Sequence, residues 1–403
     1  MKTNKIFNFS LLGSLVLGTV LGMFSTHFIH ICAQIISELF LNMLKLISLP
    51  MIFFAVIATL TKIKDLHETR TVLRKTFKYT FITTLISAIV GLLFFIIIRP
   101  VKGEGITSSF AISMKEHYLS FITKIIPTNP VQPFLENNVL GIAFMATLLG
   151  IAIVQLPENQ GKILCDFFRA IFDALLKGAS ILIFIMPIGI LSFTIIFVEN
   201  IKETSGHMQQ ILFYGICILG ANLVQGLVIL PIILKWKGHS PKHIAKNVMP
   251  ALTMAFFSKS SNATLPLTLE CAKKRLGVSD KIATFTLPLC SVINMNGCAA
   301  FILITMLFVC TSYGMIFTFW EMVLWVFLAT VAAIGNAGVP MGCFFLTMAF
   351  LMGMGIPLEI MGIILPIYSF FDMVETTLNV WSDICVTTLV NQEIMQKPSV
   401  AEP

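Results

Sequence analysis

The stretch that decides the fold is Asp372-Met-Val-Glu375-Thr376-Thr-Leu-Asn379-Val-Trp-Ser-Asp383, which lies in the last apolar run of the chain. At about 100° per residue on an α-helix, Asp372, Thr376, Asn379 and Asp383 share one narrow face, and Glu375 flanks it. A charge at the centre of a membrane costs at least ~2.5 kcal/mol on insertion scales, so such residues need a partner or a task. The stretch therefore predicts a membrane helix that binds polar ligands.

The composition indicates a polytopic membrane protein. Of the 403 residues, 57% are hydrophobic and 12% are charged, whereas soluble domains have about 25% charged residues. A soluble enzyme is excluded, because too few polar residues remain to cover its surface. The net charge of +7 does not indicate nucleic-acid binding, because the basic residues lie in short loops where they set membrane orientation. No Walker A or G-x-G-x-x-G pattern occurs, so we expect no organic cofactor.

The nine cysteines are scattered, and most lie inside apolar runs. No C-x-x-C pair occurs and the count is odd, so the spacing predicts neither a disulfide framework nor a zinc site. We expect these cysteines to be small buried hydrophobic residues.

Apolar runs predict membrane spans at residues 7–31, 35–60, 79–98, 138–156, 170–198 and 211–235. The loop 62–78 carries six basic and two acidic residues, and residues 235–246 are also basic. By the positive-inside rule both loops are cytoplasmic, together with the N-terminus and the C-terminal tail. In the first span, Gly18-x-x-x-Gly22 favours a close helix contact.

The second half of the chain is predicted to be irregular. Residues 248–270 are apolar with basic flanks and a polar interruption, which predicts a re-entrant hairpin; an amphipathic surface loop is the alternative. Residues 281–310 form a span broken at Asn294-Met-Asn296-Gly297, where unwinding would free carbonyl oxygens for Na⁺; a simple kink is the alternative. Residues 317–356 form a second hairpin with a Gly/Pro-rich tip, and a final helix covers 358–391. This order indicates an inverted-repeat transporter with its site near the bilayer midplane.

At several motifs the chain resembles the dicarboxylate/amino acid:cation symporter family, which includes the glutamate and neutral amino acid transporters. These motifs are 44–50, 127–130, 260–266, 287–297, 338–340 and the opening stretch. The site residues are most similar to those of the bacterial serine/threonine sodium symporter branch. The resemblance implies an all-α protein with eight transmembrane helices and two re-entrant hairpins, which assembles as a homotrimer.

The family's elevator mechanism implies two parts in each subunit. Residues 1–76 (helices 1–2) and 101–198 (an outside loop with helices 4–5) would form the scaffold. Residues 77–100 (helix 3) and 199–403 (helix 6, hairpin 1, helix 7, hairpin 2 and helix 8) would form the transport domain that moves.

The resemblance also implies roles for individual residues. Asp372 would receive the substrate's amino group, and the substrate site as a whole would comprise Ser260, Ser261, Asn262, Cys298, Val339, Asp372, Glu375, Thr376 and Asn379. Three sodium sites would be formed by Asn294, Asn379 and Asp383; by backbone carbonyls around Val292, Ala333, Ile334 and Asn336; and by Thr83, Thr84, Asn294 and Asn296. Alternatively, the threonine hydroxyls only bond back to their own helix.

Three departures from the family pattern bear on substrate and ions. Members that carry acidic substrates have Arg where this chain has Glu375, because a guanidinium suits a carboxylate; Glu375 would repel one. Asn296 stands where the family has Asp, which should weaken the third sodium site. Cys298 replaces a usual Thr near the substrate side chain.

The sequence therefore predicts a sodium-coupled symporter in the cell (inner) membrane that imports a small neutral amino acid such as serine, threonine or alanine. Cationic amino acids are the main alternative, because Glu375 could pair with a cationic side chain; glutamate or dicarboxylates are another. An anion- or ion-conducting protein on the same fold is the alternative class. The expected partners are the amino acid, Na⁺, the lipid bilayer and two further copies of the chain, with no nucleic acid.

Overall fold

The computed structural model describes residues 2–24, 26–61, 66–101, 126–136, 138–203, 206–336 and 341–395. All regular structure in these ranges is helical, which confirms the all-α prediction. The helices are α1 (Lys2–Met23), α2 (His27–Leu60), α3 (Leu66–Ile98), α4 (Gln132–Leu135), α5 (Val139–Val154), α6 (Glu158–Glu203), α7 (Gly206–Val224), α8 (Leu230–Trp236), α9 (Pro241–Ser258), α10 (Ser261–Glu270), α11 (Asp280–Ile293), α12 (Asn296–Ser312), α13 (Phe319–Ile334), α14 (Gly342–Gly353) and α15 (Glu359–Met395).

The boundary between the first two helices differs from the prediction. The apolar pattern placed it between residues 31 and 35, but α1 ends at Met23 and α2 begins at His27. Thr26 precedes α2, and its hydroxyl accepts a hydrogen bond from the Ile29 N–H at 3.5 Å, as an N-cap does. Hydropathy alone did not separate the two helices here, because the apolar residues resume at Phe28, only two positions after Thr26.

Among the described residues, five helical stretches are long and apolar enough to cross a membrane: His27–Ala58, Thr71–Ile98, Gln209–Trp236, Asp280–Ser312 and Glu359–Met395. A sixth is obtained if the two parts of α6, bent by 47°, are counted as one span. The protein is therefore a multi-pass membrane protein. The count of eight spans and the membrane re-entry of the two hairpins stay predictions.

The first helices pack against one another around α6. Both α1 and α2 contact α6, and α2 also contacts α5. A Cβ at Gly18 would lie 2.8 Å from the Thr194 Cβ, and one at Gly22 would lie 2.8 Å from the Val198 Cβ. The predicted close helix contact is confirmed, and its partner is α6.

The broken helix α11–α12 lies at the centre of the helices that pack around it. Its apolar window is 100% buried, whereas the other four long stretches are 33–53% buried. Helix α12 contacts α3, α7, α13, α14 and α15. Between α11 and α12, Asn294 and Met295 have non-helical backbone angles (ψ 65° and 66°). This is a true break rather than a kink, and it is tolerated because protein covers it on all sides.

Two further breaks lie in the hairpin segments. Helix α9 ends at Ser258, Lys259 adopts a left-handed conformation (φ 53°), and Ser260 caps α10 by accepting the Ala263 N–H at 3.2 Å. Helix α14 begins after Met341, which is also left-handed (φ 56°). The tip residues 337–340 lie outside the described ranges.

A charge cluster joins the C-terminal end of α15 to two other elements. The Glu393 carboxylate accepts from the Lys75 Nζ at 2.8 Å, the Lys237 Nζ at 3.0 Å and the Tyr79 hydroxyl. The hydrogen bond that Lys237 donates to Glu393 raises the pKa of Lys237, which lies just beyond the Gln209–Trp236 stretch. Glu393 thus connects α3, the end of α8 and α15.

Candidate functional site

A pocket lies where the first hairpin tip, the break before α12, the start of α14 and the middle of α15 meet. It encloses about 330 Å³ of empty space, including the part open to solvent. Its lining residues are Lys259, Ser260, Ser261, Met295, Cys298, Asn336, Gly342, Cys343, Asp372, Glu375, Thr376 and Asn379. The tip of the first hairpin therefore lies at an internal pocket, which disfavours the surface-loop alternative.

Seven of the nine predicted substrate-site residues line this pocket: Ser260, Ser261, Cys298, Asp372, Glu375, Thr376 and Asn379. Asn262 does not; its side chain is exposed and its Oδ1 accepts from the Ser291 hydroxyl at 3.3 Å. Val339 lies outside the described residues. The pocket thus collects residues that are over a hundred positions apart in sequence.

The predicted polar face of α15 is held in register by the broken helix. Asn379 accepts a hydrogen bond from the Gly297 backbone N–H at 2.9 Å and directs its Nδ2 toward the Met295 sulfur at 3.4 Å. One turn away from Asn379 along the same face, Thr376 hydrogen-bonds with Asp372. A Cβ at Gly297 would lie only 2.8 Å from the Glu375 Cα. Glycine is required there because α12 and α15 approach so closely.

Glu375 is the unusual carboxylate of the pocket. Its side chain is 1% exposed, and neither carboxylate oxygen has a hydrogen-bond partner among the described residues. Leaving a buried charged group unpaired costs several kcal/mol. A ligand with a positively charged or hydrogen-donating group beside α15 would therefore be stabilised by Glu375.

Two helix N-termini meet the pocket. Helix α10 begins at Ser261, and α14 begins at Gly342 with no side-chain cap. Free N–H groups and the helix dipole at such ends attract anions. The pocket also contains Lys259, whose Nζ donates to the Ser369 hydroxyl at 2.9 Å and whose charge interacts with Asp372. The site therefore offers donors on one side and carboxylates on the other.

The residues predicted for the first sodium site are close together. Asn294 donates from Nδ2 to the Asp383 Oδ1 at 2.9 Å and to the Ser382 hydroxyl at 2.9 Å. Asp383 is 3% exposed. Asn379, which completes the predicted set, lies one turn before Asp383 on α15.

The second predicted set lies at helix C-termini. Val292 is at the end of α11, Ala333 and Ile334 end α13, and Asn336 follows two residues later. Such ends leave backbone carbonyls without helical partners, and carbonyl oxygens are suitable ligands for Na⁺. The Asn336 side-chain amide donates to the Cys298 sulfur at 3.3 Å, which leaves the predicted role of the Asn336 backbone carbonyl untested.

The third predicted set forms a network of neutral groups around Asn296. Its Nδ2 donates to the Ser382 hydroxyl at 2.9 Å, the Asn294 Oδ1 at 3.0 Å and the Thr83 hydroxyl at 3.4 Å. Its Oδ1 accepts from the Gln225 Nε2 at 2.8 Å. The amide thus binds three oxygens, which is what a small cation would do in the same place.

The predicted threonines behave differently from one another. The Thr83 hydroxyl bonds back to the Tyr79 carbonyl at 3.0 Å and also reaches the Asn294 Oδ1 at 3.3 Å. Thr84 is fully buried, and its hydroxyl has no hydrogen-bond partner within the described part of the chain. Helix back-bonding therefore accounts for only part of the Thr83 contacts.

The sequence did not predict four residues that lie in the pocket or in the Asn296 network. Lys259 and Met295 line the pocket, and Gln225 and Ser382 belong to the Asn296 network. Lys259 carried a usable signal, because a lysine at the tip of a membrane hairpin is costly without a partner. Gln225 and Met295 carried none, since only the fold brings them to the site.

The cysteine prediction is wrong for one pair. Cys298 in α12 and Cys343 in α14 are joined by a disulfide with a Cα–Cα distance of 5.3 Å. The two cysteines are 45 positions apart in the sequence, so no local motif indicates that they pair. Five others are buried, as expected, while Cys32 and Cys165 are partly exposed.

Apolar spans, a buried broken helix and an internal pocket that combines carboxylates with helix termini define the class of protein: a polytopic membrane transporter with its site among discontinuous helices. Comparison with known proteins identifies the family. The family model described as "Sodium:dicarboxylate symporter family" matches residues 7–393, and the chain belongs to that family.

The relatives are transporters and not enzymes. The chain is 26% identical to excitatory amino acid transporter 3 of Oryctolagus cuniculus over 88% of its length and 78% of that protein. It is 29% identical to neutral amino acid transporter B(0) of Mus musculus over 66% of its length and 48% of that protein. The family predicted from the sequence is thereby confirmed, whereas the serine/threonine branch stays a prediction.

Proposed function

We propose that the protein is a sodium-coupled symporter that imports a small neutral amino acid, with serine, threonine or alanine as the best fit. The observation that carries this proposal is Glu375, a buried carboxylate without a partner in the pocket. A second carboxylate on the substrate at about 4 Å would be repelled by ~4 kcal/mol at an effective dielectric constant of ~20. A substrate hydroxyl can instead donate a hydrogen bond to Glu375.

The remaining pocket groups suit an amino acid backbone. Asp372 would receive the ammonium group, with Thr376 as its neighbour on the same face. The N-termini of α10 and α14 would bind the substrate carboxylate through Ser261 and the N–H groups near Gly342.

Sodium would bind at two of the three predicted sites. Asn294, Asn379 and Asp383 supply side-chain oxygens for one ion, and the carbonyl ends of α11 and α13 supply oxygens for another. At the third site the Asn296 amide already engages the oxygens. Because a neutral amide lacks the negative charge that would attract Na⁺, we infer that this third site is weak.

Uptake into proteoliposomes would test the substrate class. Labelled serine, alanine, arginine and aspartate are compared with and without an inward sodium gradient. We expect serine or alanine to be taken up best, and only with Na⁺. Preference for aspartate over the other three would refute the neutral-substrate proposal, and ion flux without any amino acid uptake would favour the channel alternative.

Cationic amino acids are a second candidate substrate class, because Glu375 is unpaired among the described residues. A guanidinium or ammonium side chain would neutralise that carboxylate, which a hydroxyl cannot do. The Glu375→Gln variant separates the two candidates. Uptake of a neutral amino acid should change only a few-fold, whereas uptake of arginine should be lost. Glu393→Gln is the matched control, because it makes the same chemical change outside the pocket.

The wider organisation is also proposed from the family. The contacts of α1, α2 and α5 with α6 support a scaffold of these helices, and the contacts around α12 support a transport domain of α3 and α7–α15. We propose that three copies assemble through the scaffold and that each transport domain moves as an elevator in the cell membrane. The basic loops support a cytoplasmic position for both termini.

A further inference from the structure

Three side chains around the pocket come from three different helices and meet at one point. The sulfurs of Cys298 and Cys343 and a carboxylate oxygen of Glu375 all lie within 4.8 Å of one another. All three residues are buried. Thiolate sulfurs and a carboxylate oxygen are the ligand set of zinc-type sites, and soft sulfur ligands disfavour Na⁺. This cluster is therefore distinct in chemistry from the oxygen-rich sodium sites.

Two further observations point to a cationic ligand. Both oxygens of Glu375 lack a hydrogen-bond partner among the described residues, although the side chain is 1% exposed. The amides of Asn336 and Asn379 direct their N–H groups to the Cys298 sulfur at 3.3 and 3.7 Å. Such donors stabilise negative charge on sulfur. The Met295 thioether, 3.4 Å from the Asn379 Nδ2, adds a third sulfur nearby.

We propose that, once their disulfide is reduced, Cys298, Cys343 and Glu375 bind one thiophilic divalent cation of the Zn²⁺ or Cd²⁺ class. In the reduction, two thiols of a small dithiol reductant become a disulfide while the protein disulfide takes up two electrons and two protons to give two cysteine thiols. When the metal binds, each thiol releases its proton to solvent. Two sulfurs, one carboxylate oxygen and one water complete a four-coordinate site.

The backbone geometry accommodates this change. Zinc–sulfur bonds of ~2.3 Å in a tetrahedral site hold two sulfurs about 3.8 Å apart. The Cα atoms of Cys298 and Cys343 are 5.3 Å apart, so rotation of the two side chains is sufficient to separate their sulfurs. The disulfide and the metal site are therefore alternatives that use the same two residues.

Bound metal would link α12, α14 and α15 across the pocket. Because the cation would sit beside Asp372 and Thr376, it would compete with the amino acid. This consequence rests on the proposed function, whereas metal binding itself does not. The two cysteines would then be joined by a disulfide when oxidised, joined by the metal when reduced and metal-loaded, and separate as the free dithiol.

The test measures binding directly in the purified full chain. Cys32 and Cys165, the two partly exposed cysteines, are first replaced by Ser. The protein is reduced with dithiothreitol, freed of reductant and titrated with Cd²⁺, while the ultraviolet cadmium–thiolate absorption is recorded. We expect one Cd²⁺ per chain with a two-thiolate signal, and no signal before reduction. Alkylation followed by mass spectrometry counts the thiols that reduction releases.

Three variants separate the cluster from the other thiols. Cys298→Ser and Cys343→Ser should each abolish the two-thiolate signal. Glu375→Gln should keep the signal but weaken Cd²⁺ binding about tenfold or more. Cys310→Ser, a buried free cysteine on the same helix as Cys298, is the matched control and should leave binding unchanged. Size-exclusion profiles show whether each variant is folded.

Several outcomes would overturn the proposal. These are an unchanged signal in Cys298→Ser, no signal in the reduced protein, and failure of reduction to release two thiols. Amino acid uptake in reduced proteoliposomes gives a separate readout: Cd²⁺ should inhibit it in the parent, and should leave unchanged whatever uptake the Cys298→Ser/Cys343→Ser variant retains. If Cd²⁺ binds as expected but no amino acid is transported even without it, the proposed function fails and the metal site stands.

Discussion

Replacing Asn296 by Asp should strengthen sodium binding at the third predicted site, which we infer to be weak in the native protein, and so make thermal stability depend more steeply on Na⁺. In the native network, the Asn296 Nδ2 donates to three oxygens at 2.9, 3.0 and 3.4 Å. The new carboxylate oxygen cannot donate. The hydroxyls of Ser382 and Thr83 can rotate to donate to it, but the Asn294 Oδ1 cannot, so two acceptor oxygens face each other about 3 Å apart.

The magnitude follows from these contacts. One lost hydrogen bond removes about 1 kcal/mol, and an uncompensated buried charge costs ~3–5 kcal/mol. Without Na⁺, the Asn296→Asp variant should therefore be about 4–6 kcal/mol less stable than the native protein. A bound Na⁺ neutralises the carboxylate and accepts the facing oxygens as ligands. Sodium at 100 times its dissociation constant stabilises the folded state by ~2.7 kcal/mol, so it should restore about half of the stability that the substitution removes.

The assay is thermal unfolding of the purified protein in sodium and in an equimolar large organic cation. Asn222→Asp is the matched control. Asn222 is 2% exposed, and within the described residues its side chain donates to the Ile218 carbonyl alone, at 2.9 Å, so Na⁺ should not restore the stability lost in Asn222→Asp. Sodium rescue of Asn296→Asp together with a steeper sodium dependence of uptake supports the reasoning. Equal sodium dependence in the native protein and the variant would refute it.

Three further changes have defined outcomes. Gly297→Ala should lower stability by ~1–3 kcal/mol and weaken substrate binding, because its Cβ would lie 2.8 Å from the Glu375 Cα. The control Gly178→Ala, whose Cβ would have its nearest neighbour at 3.6 Å, should not lower stability in the same thermal assay. Glu393→Gln should lower the free energy of unfolding by about 1 kcal/mol in low salt and by less in high salt, since the carboxylate is 28% exposed and salt screens exposed ion pairs. Equal losses of stability at both salt concentrations would contradict an electrostatic role. Asp372→Asn should abolish uptake while the chain still folds, and normal uptake by this variant would exclude Asp372 as the ammonium partner.

The sequence predicted the features that follow from local periodicity and polarity. The stripe on α15 could be read from 3.6-residue spacing, and the break at Asn294 from two Asn and a Gly within an apolar run. Both hairpin interruptions were recognisable because Gly, Ser and Pro accumulate where a helix cannot continue. The end of α1 was misplaced, since Ser25, Thr26 and His27 make only a short polar interruption between two apolar runs.

Contacts between distant segments could not be predicted in the same way. The pairing of Cys298 with Cys343 depends on how α14 packs against α12, and no spacing rule encodes that packing. Gln225 joins the Asn296 network through packing that no local pattern encodes: its Nε2 donates to the Thr83 carbonyl at 3.0 Å and to the Asn296 Oδ1 at 2.8 Å. The family resemblance supplied candidate roles for each position, but not the hydrogen bonds that decide how strongly a given oxygen can attract an ion.

If the protein is coupled to sodium as proposed, the Asn296 amide also has a bioenergetic consequence. Each Na⁺ that enters with a substrate contributes about 2.3 kcal/mol per 100 mV of membrane potential, equivalent to a roughly 50-fold concentration ratio. A transporter with a fixed amide in place of one coupling ion gives up that factor in the gradient it can sustain, yet spends one ion fewer per molecule imported. For a nutrient that the cell consumes rapidly, throughput per unit of sodium gradient matters more than the final accumulation ratio.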